Sequence, residues 1–189
     1  MLAIPDSISD RGRIALVPVE PSQAKELCAA IIESRAELSP WLEWVHPGYS
    51  IADTEQWVTR CRKAWEMDSS FGFTIVEHQT SQILGGCSIG IDRPVHRNGS
   101  IGYWIRTSRT KKGFASEAAA LLAQFGFAQL GLIRAEIVVA VGNVASQRVA
   151  EKVGARREGL LRNRLLIRGE PRDAYLFSLI PGLGVSSKQ

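Results

Sequence analysis

The sequence predicts a single α+β domain, built as a mixed sheet with helices on both of its faces. Three observations predict this class. The length of 189 residues suits one hydrophobic core. The order of the periodic segments is strand, two helices, three strands, helix, strand, helix and two strands. No internal repeat or low-complexity segment interrupts that order. We therefore expect one domain over residues 1–180, followed by a loose tail over residues 181–189.

The first half of the chain is expected to hold a strand, two helices and two further strands. Alternating apolar residues predict strands, and apolar residues at helical spacing predict helices. Asp53 is expected to be the N-cap of the second helix. The predicted elements are strand 13–19, helix 22–38, helix 53–67, strand 71–77 and strand 83–91. The polar segment 92–99, with Pro94 and Gly99, is expected to be a loop.

The second half alternates strands with helices and closes on a hairpin. The best helix has Ala118, Leu121, Leu122 and Phe125 at helical spacing and ends near Gly131. The predicted elements are strand 100–106, helix 115–130, strand 133–141, helix 144–153, and a hairpin of strands 156–167 and 173–179.

Composition excludes several classes of protein. Charged residues make up 22% of the chain and the net charge is +4, which suits an anionic cofactor, an acidic partner or an ordinary solvated surface. No apolar run approaches the roughly 20 residues that span a bilayer, and residues 1–10 lack the features of a secretory signal. Three scattered cysteines without metal-ligand spacing predict free thiols, no metal site and a cytoplasmic protein.

The segment Thr110-Lys111-Lys112-Gly113-Phe114-Ala115-Ser116-Glu117 joins a predicted strand to a predicted helix. The first N–H groups of a helix have no acceptor within the helix, and the helix dipole favours an anion at that end. Gly113 lets the backbone approach a ligand, and the two lysines add positive charge. The turn predicts a phosphate cradle, although an ordinary basic helix cap has the same pattern.

A second motif, Asn143-x-x-Ser146 followed by Lys152-Val153-Gly154, lies downstream. With Gly102-Tyr103-Trp104 and Thr110-x-x-Gly113-x-Ala115, it resembles the GNAT superfamily of acyl-CoA-dependent N-acyltransferases, in particular the RimJ/RimL-like branch that acetylates protein N-termini. Two positions depart from the branch pattern. Thr110 stands where Gln or Arg is usual, and Lys111 where Gly is often found.

The resemblance implies a GNAT fold, whose mostly antiparallel sheet is splayed at its middle, and acetyl-CoA as co-substrate without a metal. It implies that the pantetheine arm pairs with the backbone of Trp104, Ile105 and Arg106, whose N–H groups near Trp104 and Ile105 face the thioester oxygen. The phosphates would meet the turn and the helix start. The implied cofactor-binding residues are Trp104, Ile105, Arg106, Lys111, Lys112, Gly113, Phe114, Ala115, Ser116, Asn143, Ser146 and Lys152.

Two residues carry the expected chemistry. The resemblance implies that Ser146 donates to the departing thiolate; a plain helix-start hydroxyl is the alternative, as a plain N-cap is for Asn143. Asp92 is the expected general base, or only part of a turn. His96 could replace it, and many members of the superfamily need no strong base. Cys87 has no activating neighbour in the sequence, so we expect direct transfer rather than an acyl-enzyme.

The acceptor is expected to bind beside the aromatic loop 39–48, with Glu43 and His46 close by. Trp41, Trp44 and Tyr175 are the candidate groove residues; each is alternatively a packing residue. Three functions fit this reading: acetylation of a protein N-terminus, acetylation of a small amine such as an antibiotic or polyamine, and non-catalytic binding of acyl-CoA. Binding of nucleic acid is disfavoured, because no basic stripe is interleaved with aromatics. The resemblance also suggests a homodimer.

Overall fold

A computed structural model describes residues 4–9 and 12–182 of the chain. Of the predicted tail, only residues 181 and 182 fall within this range. The helices are α1 Ala24–Glu33, α2 Arg35–Leu38, α3 Ile51–Glu66, α4 Phe114–Ala128 and α5 Val144–Lys152. The strands are β1 Ile14–Pro18, β2 Ser70–Glu77, β3 Ile83–Arg93, β4 Asn98–Ile105, β5 Arg134–Ala140, β6 Arg156–Ile167 and β7 Glu170–Leu179.

The seven strands form one sheet in the order β1-β2-β3-β4-β5-β7-β6. Every neighbouring pair is antiparallel except β4 and β5, which are parallel. The sheet is therefore mixed and mostly antiparallel, which confirms the predicted fold class. One edge strand is β6, which forms a long hairpin with β7, and the other edge strand is β1.

Two hydrophobic cores lie on opposite faces of the sheet. The larger core joins α4 and α5 to the sheet, and its fully buried side chains include Phe73, Leu122 and Phe177. The smaller core joins α1 and α3 to the other face and includes Leu27 and Trp104. Helices thus cover both faces of the sheet, and the middle of the sheet is packed by a different core on each face.

The central parallel pair is short, and this opens the sheet. Strands β4 and β5 are paired only at Asn98 with Arg134, Gly99 with Ala135 and Ser100 with Glu136. Beyond these pairs, residues 101–105 of β4 and 137–140 of β5 diverge, although each stays paired with its outer neighbour. We call the wedge between them the central opening. Since the two strands run parallel, both enter their next loop at the same, open end.

Three local predictions were wrong, each for a local reason. The second helix begins at Ile51 because Ser50, not Asp53, is its N-cap; Asp53 is the third helical residue and accepts from Ser50 N at 2.8 Å in a capping box. The predicted loop 92–99 is mostly a tight connection, since β3 extends to Arg93 and β4 begins at Asn98. The predicted helix 22–38 breaks at Ser34, whose hydroxyl bonds to Ala30 O at 2.8 Å.

Candidate functional site

The turn between β4 and α4 leaves a free helix N-terminus at the open end of the sheet. Gly113 is the N-cap, with a φ of 87° that favours glycine, and no side chain among the described residues caps the helix. The first helical hydrogen bond runs from Glu117 N to Gly113 O at 3.1 Å, so the N–H groups of residues 114–116 precede the bonded ladder. These N–H groups are the donors that an anion at the helix start would use.

Glu117 fixes the start of α4 against β1. Its carboxylate accepts the backbone N–H groups of Arg13 at 2.6 Å and Ile14 at 3.2 Å, and it also accepts the Arg13 guanidinium at 2.8 Å. The same guanidinium donates to Lys112 O at 3.0 Å and lies 4.6 Å from the centre of the Phe114 ring. These contacts hold the turn in one position relative to the sheet.

Helix α1 holds the other end of the turn. Glu33 accepts the Arg106 guanidinium and also Ser108 N at 3.0 Å, and Thr107 N donates to Ser34 Oγ at 2.9 Å. The hydrogen bond from Arg106 lowers the pKa of Glu33 to about 2, so this carboxylate stays ionised. The segment that leads into the phosphate cradle is thereby anchored to the smaller core.

Lys152 brings a positive charge to the same turn from α5. A Cβ placed on Gly113 would lie 3.2 Å from Lys152 Nζ and 3.5 Å from Arg13 Nη2. The exposed Lys111 and Lys112 precede this glycine. The structure thus brings residues from β4, α4 and α5 together around one point, which the sequence alone could place only on separate elements.

The backbone of β4 faces the central opening through alternate residues. Arg106 N donates to Leu84 O of β3 at 2.7 Å, so this N–H points away from the opening. Because peptide groups alternate in direction along a strand, Ile105 presents its N–H to the opening while Trp104 presents its own to β3. Of the two expected donors, near Trp104 and Ile105, the Ile105 N–H therefore faces the opening and the Trp104 N–H does not.

Asn143 and Ser146 lie where β5 enters α5, across the opening from Ile105. The Asn143 side chain caps α5, since its Oδ1 accepts Ser146 N at 3.1 Å. Capping uses only this oxygen, and no hydrogen bond from the Nδ2 group to a described residue is present. Ser146 is partly buried, and its hydroxyl lies 3.1 Å from the Tyr103 hydroxyl.

The Tyr103 side chain is the feature that sequence reasoning missed. It reaches from β4 to α5, where its hydroxyl also donates to Ser146 O at 3.1 Å. Burial raises the pKa of Tyr103 to about 12, so the phenol stays protonated and can donate. The available signal was the alternation of β4: Tyr103 shares a face with the buried Ile101 and Ile105, and a tyrosine tip on such a face needs a partner.

The aromatic loop 39–48 lies against both sides of the opening. The Trp41 ring lies near Gly142, since a Cβ there would be 3.6 Å from it, while the Trp44 ring packs edge-on to Trp104 with centroids 6.3 Å apart. Gly142 follows β5 and Trp104 belongs to β4. The two predicted groove tryptophans are thus brought together at the opening. Glu43 of the same loop accepts Arg168 N at the tip of the β6–β7 hairpin.

Other predicted residues lie elsewhere. Asp92 is five residues along β3 from Cys87, which is opposite Tyr103, so about 17 Å of strand separates Asp92 from the level of Tyr103 and Ser146. This separation argues against Asp92 as a direct general base. Tyr175 packs on the larger core, with the Arg157 guanidinium 3.5 Å from its ring centre, and so faces away from Trp44.

The remaining base and nucleophile candidates have structural surroundings. His46 lies 3.4 Å from Asp53, and His96 ends the short 3-10 turn between β3 and β4. The cysteines are free thiols, as predicted, and complete burial raises the pKa of Cys87, which opposes a nucleophilic role. Among residues 4–9 and 12–182, no cluster of His, Cys, Asp or Glu could hold a metal, and no described helix is long and apolar enough to cross a membrane.

Comparison with known proteins gives consistent results. Residues 13–156 match a family model described as an acetyltransferase (GNAT) domain. The proposed ribosomal N-acetyltransferase YdaF of Bacillus subtilis is 30% identical over 164 residues, covering 86% of this chain and 88% of that protein. Two further Bacillus N-acetyltransferases of uncharacterised function are 34% and 33% identical, but the match spans only 60% and 61% of their length.

Two solved structures are similar over most of the chain. A proposed ribosomal-protein-serine acetyltransferase from Vibrio cholerae has a TM-score of 0.83 at 34% identity, covering 95% of this chain and 100% of that one. Mycobacterium smegmatis RimJ, solved in complex with CoA-disulfide, has a TM-score of 0.81 at 26% identity, covering 89% and 82%.

Proposed function

Because the chain belongs to the GNAT acetyltransferase family, we propose that it transfers the acetyl group of acetyl-CoA to a primary amine. One observation carries the proposal: the free N-terminus of α4 and the Ser146 hydroxyl lie at the same, open end of the split between β4 and β5. A donor with phosphates at one end and a thioester at the other would bind the first group through its phosphates and meet the second with its sulfur.

The donor would be bound mainly by backbone groups and lysines. Its phosphates accept hydrogen bonds from the N–H groups of residues 114–116, with Lys152 and the two lysines of the turn supplying charge. Its pantetheine arm lies along the unpaired side of β4 and reaches Ile105 N–H. The Asn143 amide, whose oxygen is engaged in capping, offers its Nδ2 group to the same arm.

The reaction is a direct transfer within a ternary complex. The neutral amine attacks the thioester carbonyl carbon, the oxygen becomes an oxyanion, and the C–S bond then breaks with the electron pair leaving on sulfur. The Ile105 N–H is placed to stabilise the oxyanion. The proton lost by the amine ends on the thiolate through solvent, so the products are the acetylated amine and free CoA thiol.

Ser146 would assist departure of the thiol, and Tyr103 would position Ser146. The Tyr103 hydroxyl has one proton, which it can donate to Ser146 O or to Ser146 Oγ, both 3.1 Å away. In the reactive arrangement it would donate to Ser146 Oγ, so that the serine proton turns toward the opening and can bond to the departing sulfur. Tyr103 does not itself touch the reacting atoms in this arrangement. The buried thiol of Cys87 takes no part.

We propose a protein N-terminal α-amine as the acceptor. The acceptor side of the opening would be bordered by the aromatic loop and by the hairpin of β6 and β7, which meet where Glu43 accepts Arg168 N. The names of YdaF and of the Vibrio cholerae protein, which describe those two proteins as ribosomal acetyltransferases, support the same choice. A cytoplasmic location and a homodimer complete the proposal, the first in keeping with three free thiols.

The test is release of free CoA thiol from acetyl-CoA with a panel of acceptors. The panel contains short peptides that begin with Ser, Ala or Thr, the same peptides with blocked N-termini, and a set of small amines. Turnover with free but not blocked peptides supports the proposal. Turnover confined to a small amine would replace the acceptor, and binding of acetyl-CoA without any turnover would leave a non-catalytic acyl-CoA-binding protein.

A further inference from the structure

The hairpin of β6 and β7 extends well past the end of the sheet. Val141 N, just after β5, donates to Asp173 O at 2.9 Å, and this is the last contact between β5 and its neighbour. Beyond it, β6 and β7 pair only with each other, from Leu165 with Arg172 to Ile167 with Glu170. The part beyond the sheet, residues 162–173, extends about 15 Å at 3.3 Å per residue. We call it the hairpin tip.

The hairpin tip stands beside the open end of the central opening. It begins next to the turn that carries Gly142 and Asn143, since these residues directly follow the last β5 contact. Its far end contacts the aromatic loop, where Glu43 accepts Arg168 N. At the base of the hairpin tip, the Asp173 carboxylate accepts Asn163 N at 2.8 Å and fixes the irregular pairing there. The hairpin tip is thus held in place at both ends, beside the proposed acceptor site.

The hairpin tip carries a net positive charge, because its arginines outnumber its carboxylates. It carries four exposed arginines, Arg162, Arg164, Arg168 and Arg172. None of them makes an ion pair with a residue in the described part of the chain. Its two carboxylates are Glu170 and Asp173, the second of which is engaged with Asn163 N. By contrast, Arg13, Arg62, Arg106, Arg109 and Arg134 each have a carboxylate partner.

From this placement we propose that the hairpin tip selects acceptor peptides that carry Asp or Glu in the residues just after the acetylated N-terminus. The inference rests on the proposed function. An extended chain covers about 3.5 Å per residue, so a tip of about 15 Å runs alongside some four residues beyond the amine. Unpaired arginines attract carboxylates through charge and bidentate hydrogen bonds, and they repel lysines.

A peptide fits this surface better than a nucleic acid does. Four arginines on one hairpin tip neutralise a short acidic segment, and the tip leads directly into the site where an amine is needed. Binding of single-stranded nucleic acid usually adds exposed aromatic rings on which bases stack. The residues between Arg162 and Arg172 include none.

The test compares three twelve-residue peptides that share the N-terminus Ser-Ala and the last six residues. Positions 3–6 are four Glu, four Gln or four Lys. At low ionic strength we expect kcat/KM to be about tenfold higher for the Glu peptide than for the Lys peptide, with the difference arising in KM. In high salt the two values of kcat/KM should become nearly equal. The KM for acetyl-CoA should not depend on the peptide.

Charge reversal locates the effect. The double variant Arg162→Glu with Arg164→Glu should prefer the Lys peptide, and Arg162→Gln with Arg164→Gln should lose the preference without reversing it. The control is Arg60→Glu, an exposed arginine on α3, which packs against β2 near the edge of the sheet opposite β6. It should retain the wild-type preference. Thermal melting of all variants checks that each is folded.

The outcomes separate this inference from the function on which it rests. Equal kcat/KM for the three peptides at low salt, or an unchanged preference in the reversal variant, overturns the selection while leaving acetylation intact. If no peptide is acetylated, binding of the fluorescein-labelled Glu peptide to the CoA complex decides. Loss of that binding in the charge-reversal variant supports selection of acidic peptides by the hairpin tip. Equal binding of the Glu and Lys peptides overturns it. An oligonucleotide that displaces the Glu peptide at equal charge also overturns it.

Discussion

Removing the Tyr103 hydroxyl should slow thiol release without disturbing cofactor binding. In Tyr103→Phe the ring remains packed on the larger core, but the 3.1 Å contacts with Ser146 Oγ and Ser146 O are lost. A neutral hydrogen bond contributes about 1 kcal/mol. If that energy orients the Ser146 proton in the transition state, kcat falls about fivefold, since 1.36 kcal/mol corresponds to a factor of ten. The KM for acetyl-CoA should change less than twofold.

The assay is continuous release of CoA thiol at saturating acceptor, with wild type and both single variants. Because Tyr103 acts through Ser146, we expect the double variant Tyr103→Phe with Ser146→Ala to be no slower than Ser146→Ala alone. An acetyl thioester of a more acidic thiol should reduce the Tyr103→Phe penalty, since its thiolate needs less stabilisation. Tyr49→Phe is the matched control: it also removes a buried phenol, bonded to Thr54 at 3.2 Å, but in the other core.

Two results would refute the reasoning. Fully additive losses in the double variant would mean that Tyr103 does not act through Ser146. A kcat for Tyr103→Phe equal to that of Tyr49→Phe would mean that the contact only packs α5 against β4. In either case the melting temperature must stay within a few degrees of wild type, because the partly exposed Ser146 can bond to water instead.

Four further predictions follow from the same geometry. Gly113→Glu should abolish acetyl-CoA binding in calorimetry by putting a carboxylate into the cradle, whereas Gly131→Glu, at a positive φ in open space, should only lower the melting temperature. Ser146→Ala should lower kcat about tenfold with little change in acetyl-CoA affinity, as loss of one hydrogen bond to a charged sulfur implies; an unchanged kcat would remove Ser146 from the mechanism. Asp92→Asn should leave the pH–rate profile unaltered, because Asp92 lies far along β3 from the level of Tyr103 and Ser146. A shifted profile would restore Asp92 as the general base. The pKa of Glu33 is about 2 in the folded state, against an ordinary 4.5, so its pair with Arg106 stabilises the fold above pH 4.5 and this stabilisation is lost as the pH falls toward 2. The difference in melting temperature between Glu33→Gln and wild type should therefore be smaller at pH 3 than at pH 6.

Most of the element order was predictable because each element has its own local pattern. The turn before Phe114 and the α5 start at Asn143 were identified from glycine and capping chemistry, and both are where the sequence indicated. What the sequence lacked was register. The distance of Asp92 from the opening depends on how β3 pairs with β4, and no local pattern encodes that pairing.

The contacts across the site were unpredictable for a related reason. Tyr103 meets Ser146 although 43 positions separate them in sequence, and Arg13 meets Glu117 across 104. Each contact exists because two strands and a helix are brought together by the whole sheet. Composition identified a mildly basic chain, but only the fold shows that four unpaired arginines share one projecting tip.

The gap between β4 and β5 also bears on how tolerant this site is of sequence change. In the proposed binding mode, the donor pairs with the main chain of residues 101–105 and makes no use of their side chains. Those side chains can therefore contact other parts of the protein. Tyr103 is turned to α5 on one face, and Trp104 is turned to Trp44 on the other. An alanine scan along β4 would therefore report on the two faces and leave the donor-binding edge silent. That edge is better detected by amide hydrogen exchange, in which Ile105 N–H should become protected when the donor binds.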